Sequence, residues 1–322
     1  MQNRPLGSTA LAVSPLSLGT MTFGAQVDEA TARSMVDLCL ERGVNFIDTA
    51  NVYNAGVTES ILGPILAGRR DRFVLASKVG IKSGDKPDEQ GLSQAAIVAG
   101  IEGSLKRLQT DYLDLYYLHQ PDYATPVEES LSVIEGLVKS GKVRHVAVSN
   151  YASWQVCDML WLAKTNGWQP LVAVQPMYNL LARRVEQELL PFCKHHNISV
   201  ISYNPLAGGL LTGKHQLAAP IAGTRFDRMP LYRNRYWHAE NFAAVARLNE
   251  IAQAAGRSTA RLAIGWVLRQ PTVTSVILGA SRVEHLRENL AVLEDAPLSS
   301  ETLAACDEVW ATLRGISPAY NR

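Results

Sequence analysis

The chain has 322 residues, with 31 basic against 30 acidic side chains and a net charge of +1, so it carries neither a basic field for nucleic acid nor an acidic tail. Apolar residues make up 47 %, ample for a core, and no run approaches the roughly 18 apolar residues of a membrane span. Small molecules are the expected partners, and Met1-Gln-Asn-Arg-Pro lacks the apolar segment of a secretory signal.

Cys39, Cys157, Cys193 and Cys306 form no C-x-x-C pair and no zinc spacing, and read as reduced thiols of a cytoplasmic enzyme. His195-His196 lacks a third ligand, so no metal is expected. Residues 1–322 are expected to form one domain, because α/β barrels exceed the usual length of about 150 residues as single units. Nothing in the pattern specifies an oligomer.

In chain order, Gly7-Ser-Thr between Leu6 and Leu11-Ala-Val predicts a hairpin within 1–14. A strand at 16–20 follows, then Asp28 as a helix N-cap and an amphipathic helix at 30–42 that Gly43 terminates. The same strand-then-helix unit recurs with strands at 44–48, 73–78, 112–118, 143–148, 171–175, 198–203 and 273–277. Their helices are expected at 58–67, 93–108, 127–140, 153–166, 183–196, 240–255 with 259–269, and 282–293. Eight such units predict an α/β fold of the closed (β/α)8, or TIM, barrel type rather than an open doubly wound sheet. The long stretch 206–237 after the seventh strand has the length of a lid or binding loop, and a last helix is expected near 300–313.

Three strands end on ionisable groups. Asn45-Phe-Ile-Asp-Thr-Ala-Asn-Val-Tyr53 closes a strand on Asp48 and carries Tyr53 on the loop beyond it; Phe73-Val-Leu-Ala-Ser-Lys78 closes on Lys78, and Leu113-Asp-Leu-Tyr-Tyr-Leu-His119 on His119. In a parallel barrel these ends share the face where chemistry is done. A tyrosine with a pKa of about 10 is a poor acid at neutral pH, and a nearby ammonium such as Lys78 lowers that value. Asp48 can pair with Lys78, and His119 can donate to a substrate oxygen. Singly these residues read as a helix cap, a packing ring, a rim lysine and a satisfied core histidine. Together they form a set for moving a proton onto a carbonyl oxygen.

From about Arg4 to the last helix the chain resembles the aldo-keto reductase superfamily. The resemblance is carried by Asn45-Phe-Ile-Asp-Thr-Ala-x-x-Tyr53, Ala76-Ser-Lys78, Leu118-His119, Val148-Ser-Asn150, Val174-Gln175 and Ile277-Leu-Gly-Ala-Ser-x-x-Glu-x-Leu-x-Glu-Asn289. It implies the barrel already inferred, with Tyr53 as general acid, Lys78 and Asp48 tuning it, and His119 orienting a carbonyl. It also implies NADP(H), held extended across the barrel mouth. None of the 23 glycines forms a G-x-G-x-x-G fingerprint, so a Rossmann domain is not expected.

By the same resemblance Ser149, Asn150 and Gln175 surround the carboxamide, and Tyr203 lies under the nicotinamide ring. Asn204, Leu206, Gly208, Leu210 and Lys214 belong to the segment over the pyrophosphate, while Gly19, Thr20, Met21 and Gly279 also fall along the cofactor. Gly208-Gly209 as a bare motif is more often a turn, and its position after the seventh strand strengthens the phosphate reading; Arg225 reads as either a further phosphate contact or a solvated loop residue. Ser281 and Arg282 open the eighth-unit helix, where an arginine suits the adenosine 2′-phosphate or simply solvates a helix start. Glu288 and Asn289 match family residues facing the adenine, and His285 departs from the glutamine or arginine of many relatives.

Met21, Phe23, Tyr232 and Trp237, with Tyr320 and Arg322 of the tail, are expected to line the substrate mouth. Leu231-Tyr-Arg-Asn-Arg-Tyr-Trp237 and the ending Ala319-Tyr-Asn-Arg322 resemble the aflatoxin-aldehyde-reductase branch and its bacterial relatives. The expected activity is NADPH-dependent reduction of aldehydes and ketones. A second reading is a dinucleotide-binding redox-sensing subunit of the potassium-channel β type, and a third is an aldolase using Lys78 as a Schiff base.

Overall fold

The computed structural model describes residues 2–316; Tyr320 and Arg322 lie outside the described residues. The chain opens with an antiparallel hairpin of β1 (Arg4–Pro5) and β2 (Ala12–Val13), paired Arg4↔Val13 and Pro5↔Ala12. Gly7 turns it with a φ of 57° that a side chain rarely adopts. Leu6 and Val13 are wholly buried in the floor of the barrel that follows.

The first barrel unit is β3 (Leu16–Gly19) with α1 (Glu29–Glu41), whose N-cap Asp28 accepts from the Thr31 N–H at 2.8 Å. Next come β4 (Phe46–Asp48) with α2 (Val57–Leu66), β5 (Val74–Val79) with α3 (Gln94–Leu108), and β6 (Leu113–Leu118) with α4 (Val127–Lys139). The chain continues through β7 (Val143–Ser149) with α5 (Ser153–Asn166), and β8 (Ala173–Gln175) with α6 (Leu189–His195). After β9 (Ser199–Ser202) come α7 (Arg225–Arg228), α8 (Pro230–Tyr236), α9 (Ala239–Ala254) and α10 (Thr259–Leu268). β10 (Val273–Gly279), α11 (Val283–Leu290) and α12 (Ser300–Arg314) complete the described chain.

The eight parallel strands close in the order β10-β3-β4-β5-β6-β7-β8-β9. This is the (β/α)8 barrel expected, with the hairpin outside the repeat. Two cores follow from strand alternation. Phe46, Val74, Leu115, Tyr117, Ile201 and Ile277 fill the lumen above Leu6 and Val13, while the outward residues of each strand pack against the helices. No helix of the described residues is long and apolar enough to cross a membrane.

Two expected elements change. The helix expected at 183–196 is a 3-10 turn, Arg184–Glu186, followed by the shorter α6. Here Arg183 is drawn out of any helix by ion pairs to Glu186 and Asp307 and by stacking on Trp266 at 4.5 Å. The stretch expected to be a lid over 206–237 is largely folded: Ala207–Thr212 is a 3-10 turn, α7 and α8 follow, and Leu211, Phe226 and Tyr236 are core residues. The part between Gly213 and Gly223 is exposed for most of its length and lies outside these helices, and both glycines have positive φ, 75° and 74°.

Candidate active site

Alternation along β5 sends Ser77 outward and Lys78 inward. Ser77 Oγ donates to the buried Glu59 at 2.5 Å, and Glu59 also binds Arg107 of α3, which fixes the strand from behind. Lys78 is 0 % exposed and spends all three ammonium N–H groups: on Asp48 Oδ1 at 2.5 Å, on the Thr49 carbonyl at 2.7 Å, and on the Tyr53 hydroxyl at 3.3 Å. The four expected groups therefore converge, Asp48 from the end of β4, Lys78 from β5, His119 from just beyond β6, and Tyr53 from the turn after β4. The Tyr53 and His119 rings stand edge to face with centroids 6.1 Å apart.

The Tyr53 turn is held by neighbours that sequence reasoning passed over. Asn54 and Ala55 adopt left-handed φ values of 49° and 52°, a conformation that asparagine tolerates better than most side chains. Asn54 Nδ2 donates to the carbonyls of Phe23 at 2.7 Å and Met21 at 3.1 Å, and the Thr58 hydroxyl donates to Phe23 O at 2.8 Å. An asparagine directly after Tyr53 is the available signal.

The electrostatics differ in one respect from expectation. Burial raises the Tyr53 phenol; Lys78 pulls it down and Asp48 pushes it up, and the net direction is upward. The expected lowering by Lys78 is real as a contribution and is outweighed, because desolvation of a phenolate was invisible in the sequence. The Tyr53 phenol is thus neutral around pH 7. Burial works against the charge on Lys78, but the Asp48 carboxylate and the Tyr53 oxygen outweigh it and the ammonium is held protonated. That state, with three hydrogen bonds made, is the opposite of the desolvated free amine a Schiff-base lysine needs. Burial, then the Lys78 charge, push His119 well below its ordinary value, so its imidazole is neutral.

A hydrogen-bonded rim continues from these groups. Gln175 Nε2 donates to Asp48 Oδ2 at 2.7 Å, and Ser149 Oγ donates to the Gln175 carbonyl at 2.9 Å. Asn150, in the left-handed region at φ 64°, donates to the His119 carbonyl at 3.0 Å and accepts from the Tyr203 hydroxyl at 2.8 Å. These amides and the half-buried Tyr203 ring have the chemistry to hold a carboxamide and a flat heterocycle. Asn204, at φ 63°, accepts from the Gly208 N–H at 2.6 Å, and Gly208 and Gly209 are left-handed, which keeps that backbone bare of side chains. At Gly208 a Cβ would meet the Tyr232 ring at 2.7 Å. Gly279 is exposed, with nothing within 4 Å of a Cβ, and Leu206 is half-buried. Lys214 is exposed and Arg225 half-buried, the latter over the Tyr232 ring at 4.8 Å.

At the far end, Ser281 and Arg282 line a cleft of about 600 Å³ between the start of α11 and the loop from Gly24 to Asp28. His285 sits 3.4 Å from Ser281 Oγ; Glu288 is exposed and Asn289 is mostly buried. Glu284 and Asp28 line the same cleft, so its charge is mixed.

Three expected contacts do not reach the mouth. Phe23 is 0 % exposed and belongs to the outer core, because the Asn54 and Thr58 bonds pull its backbone down. Thr20 is wholly buried and its hydroxyl donates to the Asp48 carbonyl at 3.0 Å. The Leu210 side chain is core, leaving only its backbone for a ligand. Gly19 is required for strand packing, since a Cβ there would meet Ile277 Cγ2 at 2.5 Å. Met21 is half-buried, Tyr232 retains 7 % exposure, and Trp237 is committed to a cluster with His215, Phe226 and Phe242. Arg235, not singled out before, is exposed, 5.9 Å from the Tyr232 ring, with its charge facing the Tyr203 hydroxyl.

A family model described as "Aldo/keto reductase family" matches residues 15–311. The chain belongs to the aldo/keto reductase family. It is 37 % identical over 323 residues to "Aflatoxin B1 aldehyde reductase member 2" of Homo sapiens, covering 95 % of this chain and 89 % of that protein. It is 38 % identical over 330 residues to "Uncharacterized oxidoreductase YrpG" of Bacillus subtilis (strain 168), covering 99 % and 98 %. A "Probable voltage-gated potassium channel subunit beta" of Arabidopsis thaliana is 36 % identical over 305 residues, covering 92 % and 93 %. As an aldo/keto reductase resembling the aflatoxin-aldehyde-reductase branch, the protein is an oxidoreductase acting on carbonyl groups. Members of this family generally use NAD(P)H.

Proposed function

We propose that the chain reduces aldehydes, and some ketones, to alcohols with NADPH, and that Tyr53 is the general acid. The observation that carries this reading is the Tyr53 hydroxyl held 3.3 Å from a buried ammonium that Asp48 keeps charged, beside a neutral imidazole. When bound, reduced nicotinamide supplies the hydride to the carbonyl carbon. The chain's own residues handle the oxygen. His119, being neutral, has one ring N–H with which to hold a carbonyl oxygen. As negative charge develops there, Tyr53 gives up its proton to the same oxygen, and Lys78 stabilises the phenolate left behind. Water then returns a proton to Tyr53.

Ser149, Asn150, Gln175 and Tyr203 would hold the nicotinamide end, the Gly208-Gly209 backbone with Lys214 the pyrophosphate, and Arg282 a 2′-phosphate. Arg225 and Arg235 flank Tyr232 at the mouth and favour a carbonyl substrate that also bears an anion. We take residues 1–322 as one catalytic unit of the cytoplasm with a small carbonyl compound as its partner. An NADPH-consumption screen across aliphatic, aromatic, carboxylated and sugar aldehydes tests the reading. Steady turnover on at least one class is expected; none on any class would sink it.

A second reading, a dinucleotide-binding redox-sensing subunit, draws on the likeness to the protein named as a potassium channel subunit beta. The complete Asp48, Tyr53, Lys78 and His119 set favours the enzyme. A single slow turnover of bound NADPH with no steady state would favour the subunit.

A further inference from the structure

The two carboxylate oxygens of Asp48 have different partners. Oδ1 accepts from Lys78 at 2.5 Å, and Oδ2 accepts from Gln175 Nε2 at 2.7 Å. Gln175 ends β8, which lies four strands from β4 in the closed order, so this second bond crosses the lumen from the opposite wall. Its backbone is itself pinned: the Gln175 carbonyl accepts from Ser149 Oγ at 2.9 Å and from the Asn150 N–H at 3.4 Å. The side chain is 3 % exposed and Asp48 2 %, so water does not compete effectively for the contact.

A carboxylate paired only through Oδ1 could pivot about its Cβ and carry the ammonium with it. Binding both oxygens from opposite walls removes that freedom, and Lys78 is then presented to Tyr53 in one orientation. We infer that Gln175 is a positioning residue for carbonyl reduction: its amide fixes the Asp48 carboxylate across the barrel, and Asp48 in turn fixes Lys78 against Tyr53. The inference rests on the function proposed above. A primary amide has two N–H donors and a carbonyl oxygen; one donor serves Asp48 and the Tyr117 hydroxyl faces the same amide, which leaves one group for a ligand carboxamide. Cofactor docking and alignment of the proton donor are thereby joined through one residue.

The test has an arm that needs no turnover. Gln175→Glu replaces the donor with a near-isosteric carboxylate facing Asp48. Two facing carboxylates raise the folded pKa of one of them, so the stability of the cofactor-free variant relative to wild type is retained at low pH and lost as pH rises through the carboxylate range. Urea unfolding from pH 4 to 8 reads this. In the double variant Asp48→Asn with Gln175→Glu, the asparagine amide supplies the donor and the pH dependence disappears. A Gln175→Glu profile parallel to wild type would overturn the inference.

In the kinetic arm, at saturating NADPH, Gln175→Glu and Gln175→Met lower kcat about 10- to 100-fold, as loss of a hydrogen bond to a charged group implies. Only the glutamate variant recovers as pH falls through the same window. If Gln175→Glu does not fold at neutral pH, Gln175→Met carries this arm. Wild-type kcat in either variant confines Gln175 to ligand binding and overturns the inference alone. A wild-type protein inert toward every aldehyde overturns the functional reading with it.

Discussion

Lys78 and Asp48 meet at 2.5 Å inside the barrel, and neither has more than 3 % of its side chain exposed. Each is satisfied by the other plus neutral groups, so the pair functions as a unit: removing the cation leaves a buried anion with one amide for company. Lys78→Met should therefore destabilise the protein by about 3–5 kcal/mol at neutral pH, the usual cost of an uncompensated buried charge. Lys78→Met with Asp48→Asn should recover most of that loss. Urea unfolding of the two variants measures it.

Tyr53→Phe keeps the ring and removes the proton. Turnover should fall at least about 10²-fold, the scale of general acid catalysis, with NADPH binding retained. Because the Tyr53 phenol is raised above its ordinary 10.0, the wild-type reduction rate should show no alkaline fall until above that value. Near-normal turnover in Tyr53→Phe would remove Tyr53 from the mechanism.

The parts of this molecule legible in the sequence are those set by local pattern. Phe46 to Ile47, Val74 to Ala76 and Leu115 to Leu118 are apolar because strands of a parallel barrel are buried on both faces, and these strands lead to Asp48, Lys78 and His119 where the chain leaves the lumen. Asp28 marks a helix start because its carboxylate accepts from the backbone N–H of Thr31, three residues on. What was not legible depends on partners distant in sequence. Arg183 breaks the sixth helix for Asp307, 124 residues away; Phe23 turns inward because Asn54 and Thr58 hold its carbonyl; and the net direction of Tyr53 depends on burial that only the closed barrel creates. The Asp48 to Gln175 bond spans 127 residues and has no sequence signature at all.

His119 offers a test by pH. Its folded value lies well below 6.5, so the folded protein binds fewer protons than the unfolded chain in that region. Its contribution to stability is complete above pH 6.5 and is lost as pH falls from there toward the folded value. His119→Gln should flatten the slope of unfolding free energy against pH below 6.5 by up to about 1.4 kcal/mol per pH unit, one proton's worth. His145 and His215 are also lowered and their slope should remain. An unchanged slope would mean that His119 titrates normally.

Arg282→Ala should weaken NADPH binding by about 1.5–3 kcal/mol, the range for a hydrogen bond to a charged group, and hardly change NADH. Fluorescence titration with both nucleotides decides it. Equal loss for the two would assign Arg282 a structural role at the start of α11.

The last prediction concerns the span between Gly213 and Gly223, the exposed part of the stretch once expected to move as a whole. Beyond its ends Leu211 and Phe226 are wholly buried, and within it His215 packs on Phe226 and Trp237 while Trp237 donates to the Leu217 carbonyl at 3.0 Å. Gln26 Nε2 donates to the Gly223 carbonyl at 3.3 Å, which ties this span to the loop after β3, two strands away round the barrel. A strap with left-handed glycines at both ends, one exposed hydrogen bond to the loop after β3 and Lys214 at its root can open by releasing His215 and Leu217 from the Trp237 cluster, without unfolding the barrel. If its opening limits release of oxidised cofactor, then Lys214→Ala and Gln26→Ala should each raise KM for NADPH and leave kcat equal or higher. Stopped-flow mixing separates the cases: a fast burst of NADPH oxidation before a slower steady state supports gated release. A burst-free trace with a full deuteride isotope effect on kcat means that chemistry limits turnover and the strap does not.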